Sequence, residues 1–181
     1  MEEVINFFDK YEFLFTIMSG CHDPGNLIND EDYFGYNFSK NQIYQLFFYG
    51  ESTYFEAIKA DSDLESCAVF EIDFEDCHKY KSIKSSVSFR SFVTDKLKLF
   101  RKMIKLKIKN PNNNDRYELE KKFNKKYNVN LEMYHLDFTW LVDEDDPIDL
   151  QDILSDIDEA LVELKKFPLN VNEQKLNCKD A

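Results

Sequence analysis

The sequence predicts an α+β domain in which helices cover an antiparallel sheet, and three observations point that way. Two stretches, 67–75 and 131–142, alternate apolar and polar residues with the period of two that belongs to strands. Three others, 2–18, 88–109 and 147–166, repeat apolar residues every three or four positions, the period of a helix face. The order along the chain is helix, strands, helices, strand, helix, which segregates the two kinds of element. An all-helical core would exclude this class.

In residues 2–18, Val4, Phe7, Phe8, Tyr11, Leu14, Phe15 and Met18 share one helical face, and Gly20 followed by Pro24-Gly25 ends the run. Residues 43–49 are rich in strand formers, and Gly50-Glu51-Ser52 turns them into a second strand at 53–59. In 67–75, Ala68, Phe70, Ile72 and Phe74 are expected inward, with Val69, Glu71, Asp73 and Glu75 outward. Phe89, Val93, Leu97, Phe100, Ile104 and Ile108 line one side of the next helix. Its end, residues 104–109, also alternates like a strand, so both readings stay open there. The breaker Asn110-Pro111-Asn112-Asn113-Asn114 precedes a basic helix at about 115–127. In 131–142, Tyr134, Leu136, Phe138, Trp140 and Val142 share a face. Asp146-Pro147 is expected to cap and open the last helix, whose acids come early and whose Lys165 and Lys166 come late, as the helix dipole favours.

A chain of 181 residues suits one core, so the expected organisation is a single domain over 1–166 with a tail at 167–181. Its 17 Phe and 10 Tyr supply apolar mass, while four Gly leave little for a phosphate-cradling loop. The start MEEVINFFDKYEFLF is acidic and interrupted by charges, which predicts neither a secretory signal nor a membrane span. Four irregularly spaced cysteines, Cys21, Cys67, Cys77 and Cys178, fit reduced thiols in a cytoplasmic protein.

Charge is blocked along the chain. Residues 1–78 carry a net −14, residues 79–126 carry +12 and residues 127–181 carry −10. Either the basic middle balances its acidic flanks within one fold, or an acidic surface is left facing a basic partner. The overall −12 disfavours direct nucleic-acid binding, and the lysines and aromatics of 79–126 are expected on the solvated and inward sides of helices.

Tests for chemistry give no strong signature. Cys21-His22 and Cys77-His78 could supply four zinc ligands, but adjacent pairs depart from the usual ligand spacing. Asp61, Asp63 and Glu65 start like a calcium loop that then lacks the glycine at its sixth position and the glutamate at its twelfth. Glu120-Lys121-Lys122 reads as ordinary helix-surface chemistry. None of His22, His78 and His135 sits in a zinc-protease pattern, and Ser19-Gly20-Cys21-His22 lacks a nucleophile-elbow context. No catalytic residue, metal or cofactor is expected.

Three acidic clusters remain. Asp30, Glu31, Asp32, Tyr33 and Tyr36 lie on an expected loop, Glu71, Asp73 and Glu75 on a strand face, and Asp143, Glu144, Asp145, Asp146, Asp149 and Asp152 at the last helix. Such clusters are costly by mutual repulsion unless a cation or basic partner relieves it, and adjacent tyrosines suit interfaces. They also serve solubility alone.

In size, acidity and the segments Asp30–Tyr36 and Asp143–Asp152, the chain resembles bacterial immunity proteins of toxin–immunity pairs, such as those of contact-dependent growth inhibition. The resemblance implies a non-enzymatic cytoplasmic inhibitor that binds a basic toxin, often a nuclease, and occludes its active site or substrate groove. Two other readings stand beside it: a hydrolase or nuclease whose site assembles only in three dimensions, and a nucleic-acid mimic that inhibits a restriction or CRISPR-type enzyme.

Overall fold

The computed structural model describes residues 2–19, 27–28, 43–48, 54–59, 68–73, 80–82, 87–110, 116–129 and 149–169. Its helices are α1 (Glu2–Lys10), α2 (Glu12–Ser19), α3 (Phe89–Lys109), α4 (Arg116–Tyr127) and α5 (Leu150–Glu163), and a 3-10 turn follows at Leu164–Lys166. Five strands lie between α2 and α3: β1 (Leu27–Ile28), β2 (Ile43–Phe48), β3 (Tyr54–Lys59), β4 (Phe70–Asp73) and β5 (Tyr80–Ser82). They pair antiparallel in chain order, and the β2–β3 register shifts between Gln45 and Phe47, leaving Leu46 as the extra residue of a bulge. In the strands the description is of backbone pairing, together with the side chain of Ile58.

The packed body is helical, and this corrects the expected α+β class. Nearly all the described buried apolar side chains come from the five helices, the 3-10 turn and the residues that end them, with Ile58 and Val69 the contribution of the meander. A sheet at the centre of a fold would place alternate residues of several strands into the apolar layer. Among the described side chains helix packs on helix, α3 against both α4 and α5. The expected strand at 131–142 lies outside the described residues.

Two aromatic clusters organise that body. Phe7 stands at the centre of the first, with ring centroids 5.2 Å from Tyr11, 5.6 Å from Phe15, 6.2 Å from Phe89 and 5.5 Å from Phe167. Phe167, placed by the sequence at the start of a tail, is therefore part of the core, and Arg90 Nη1 donates to its carbonyl at 3.1 Å. The second cluster joins α3 to α4 through Phe92, Phe123 and Tyr127, with centroids 4.7–5.8 Å apart. Lys96 is buried beside it, its ammonium 5.5 Å from the ring centroids of both Phe92 and Phe123.

Helix boundaries follow local chemistry. The single helix expected at 2–18 is divided at Tyr11, whose N–H is shared between the carbonyls of Phe7 and Phe8 at 3.3 and 3.2 Å. The apolar face continues across the division, so periodicity alone could not reveal it. Ser88 caps α3, its Oγ accepting from the Ser91 N–H at 3.2 Å. Residues 104–109, ambiguous in sequence, continue α3 to Asn110, where Pro111 disfavours a further helical residue. α4 ends with Asn128 at φ 56°, and the Val129 N–H donates to the Asn124 carbonyl at 3.2 Å. This is a Schellman closure with asparagine in the left-handed position.

Candidate functional site

The described part of the acidic surface lies on α5. Ile153, Leu154, Ile157 and Ala160, with Leu164 just beyond, form its buried side and hold the helix against the core. Asp152, Asp156, Glu159 and Glu163 recur at i, i+4, i+7 and i+11 along the flank that turns toward Lys10, a stripe about 16 Å long at 1.5 Å per residue. Apart from the half-buried Glu163, these residues are exposed. The helix starts at Leu150, with Asp149 as its N-cap in place of the expected Asp146-Pro147, which lie outside the described residues. Asp149 Oδ1 accepts from the Gln151 N–H at 2.8 Å, so this carboxylate already has a structural task.

Cations reach α5 from two sides. Lys10 Nζ donates to Glu159 Oε1 at 2.8 Å and to Glu163 Oε2 at 2.6 Å, and the Tyr11 hydroxyl donates to Glu163 Oε2 at 3.0 Å. These hydrogen bonds from Lys10 hold both glutamates below the usual carboxylate range and raise Lys10 above the ordinary lysine value. Burial pushes the Tyr11 hydroxyl up to about 12; the Lys10 ammonium opposes that rise and the Glu163 carboxylate adds to it. On the α3 side, Arg101 Nη2 donates to Asp158 Oδ2 at 2.9 Å. Arg101 Nε lies 2.7 Å from Oδ1 without a well-directed hydrogen bond, so that contact is ionic. Asp152 and Asp156 have no ion-pair partner among the described residues.

Of the residues the sequence singled out, Asp149 and Asp152 share this helix and are exposed. Glu71 and Asp73 lie on β4, Glu71 in register with Glu56 on β3 and Lys81 on β5, and Asp73 with Tyr54. Asp30, Glu31, Asp32, Tyr33, Tyr36, Glu75, Asp143, Glu144, Asp145 and Asp146 lie outside the described residues, as do Cys21, His22, Cys77 and His78. Sequence reasoning missed Asp156, Glu159, Glu163 and Lys10. The signal that finds the acids is their helical spacing in 152–163, which the match to the helix dipole does not use.

No group of three or more His, Cys, Asp or Glu side chains among the described residues could hold a metal ion. Lys121 pairs with Glu118 at 3.1 Å, an ordinary i,i+3 contact on α4. No helix among the described residues is long and apolar enough to cross a membrane. No family model matches the chain, and neither curated proteins nor solved structures include a match to it.

Proposed function

We propose that this protein acts in the cytoplasm as an inhibitor that binds a basic protein partner through its acidic surface and occludes the partner's working groove, in the manner of an immunity protein. The observation that supports the reading most directly is the acidic row of α5, held in register by a packed helix, in which Asp152 and Asp156 have no ion-pair partner among the described residues. A nuclease groove is positive because it holds phosphates. An opposed acidic row raises the rate of encounter by about 10-fold or more at low salt, and the close contacts then set the dissociation rate. No bond is made or broken.

The test is binding of the purified protein to a basic toxin domain encoded beside it. Micromolar or tighter binding is expected, together with loss of toxin activity in the complex. Asp152→Lys with Asp156→Lys should slow association several-fold with little change in dissociation. Asp149→Asn is the better probe of the cap position, because asparagine keeps the cap while removing the charge. Absence of binding at micromolar concentration, or metal-dependent hydrolysis by the protein alone, would refute the reading.

A further inference from the structure

The outward side of α3 carries a second stripe. Lys98, Lys102, Lys105 and Lys109 stand at i, i+4, i+7 and i+11, and all four are exposed. None has a carboxylate within ion-pair distance among the described residues. The opposite side of the helix is buried through Val93, Leu97, Phe100 and Ile104. One flank of α3 meets α4 through Phe92 and Phe123, and the other meets α5 through Arg101 and Asp158. At about 100° per residue the lysine stripe falls between these flanks, on the solvent side.

The spacing of the lysines along α3 is the spacing of the acids along α5. Two helices laid side by side in matching register bring the two rows opposite one another along about 16 Å, with Asp152 and Asp156 open to the lysines while Glu159 and Glu163 are shared with Lys10 of their own chain. Within one molecule they do not meet. α3 faces the Asp158 side of α5, whereas Glu159 and Glu163 lie toward Lys10 on α1. A second copy of the chain offers such a row. We propose that the lysine stripe of α3 is a docking face for the acidic stripe of α5 on a second copy of this chain.

The competing occupant is a nucleic acid, and the chain's net charge of −12 opposes it by repelling phosphate as a whole. Self-docking uses only local charge. Screening over roughly 10 Å at 0.1 M salt leaves contacting rows attractive while weakening the repulsion between the two molecules' total charges. The inference concerns the chain alone and does not rest on the partner reading above.

Sedimentation equilibrium of the full chain tests it, at protein concentrations from micromolar to about one millimolar. At about 50 mM salt the weight-average mass should rise above the monomer's 21.6 kDa with concentration, and at about 500 mM it should return to it. Lys102→Glu with Lys105→Glu should weaken association about 10-fold or more, and so should Asp152→Lys with Asp156→Lys. Each variant then opposes like charge to like. An equimolar mixture restores the native pairing, lysines from one variant against acids from the other, and should associate again. Helical circular dichroism checks each fold, and Lys102→Gln with Lys105→Gln replaces a reversal that fails to fold. A monomer under all conditions, or association indifferent to both double variants, would overturn the proposal. So would a monomer that binds a 20-base-pair DNA duplex through the same lysines.

Discussion

α3 and α5 are built alike and charged oppositely. Each starts at a side-chain cap, Ser88 or Asp149, buries one apolar face and shows the solvent a stripe of one charge at the same four positions of the repeat. They differ in surroundings. The α5 stripe is partly neutralised by Lys10, whereas no lysine of the α3 stripe makes an ion pair within 4 Å among the described residues, Lys98 acting on Asp95 only at longer range. The cap of α3 is buried and that of α5 is exposed. The comparison teaches that the inward faces hold these helices in place, and the outward faces are left to carry charge.

The largest expected effects therefore lie on the inward faces. Phe100→Ala in α3 should destabilise the protein by about 3–5 kcal/mol and Ile157→Ala in α5 by about 2–5 kcal/mol, measured by denaturant unfolding. A loss below about 1 kcal/mol at either position would break the comparison. The caps come next. Ser88→Ala leaves a backbone donor poorly satisfied in a buried setting and should cost about 1–2 kcal/mol. Water can replace the exposed Asp149, so Asp149→Ala should cost about 0.5–1 kcal/mol by the same measurement.

A smaller effect should follow pH at the α3–α4 contact, where Lys126 and Tyr127 both donate to Asp95. Burial alone would raise the Asp95 carboxyl; the two hydrogen bonds and the charges of Lys126 and Lys98 outweigh it and hold the group below its ordinary value. A depressed folded-state value means the contribution is complete above the unfolded-state value, near 3.9, and is lost as pH falls through the folded-state value. At pH 7, Asp95→Asn should be less stable than the parent by about 1 kcal/mol, and the gap should close as acid protonates the folded-state carboxyl. A gap independent of pH would assign the loss to packing. Smallest of all, Lys10→Met should leave the fold intact and let the Glu159 and Glu163 carboxyls titrate at higher pH, seen by carboxyl-carbon NMR. Unmoved titrations would show that Lys10 does not neutralise the α5 stripe.

The helices were legible because burial on one side leaves a period that survives in sequence, as Phe89, Val93, Leu97, Phe100 and Ile104 show. The break at Tyr11 was not, since Phe7, Tyr11 and Phe15 keep their spacing across it. The start of α5 was misplaced because several acids in a row can each cap a helix, and composition does not say which one turns its carboxylate onto the backbone. The fold class failed at a different level. Strand-forming residues at 43–59 report local backbone preference, whereas the described core is set by contacts distant in sequence, such as those among Phe7, Phe89 and Phe167. For the candidate site, the acids were visible one by one. Their shared row, and the lysine that reaches it from the far end of the chain, required the fold.

That reach bears on how the protein is made. Lys10 and Glu163 are 153 residues apart, and Phe7 finds Phe167 in the same region. At about 5–20 residues per second, a ribosome takes roughly 8–30 s to cover that interval. For all of that time α1 lacks its last partners, and its phenylalanines are open to whatever else the nascent chain or the cell offers. Closing so long a loop is also slow, because the ordering cost comes before the contact that offsets it. The aromatic cluster around Phe7 is therefore completed late in folding, and a holdase chaperone that recognises exposed aromatics has its opportunity at α1 before Phe167 emerges.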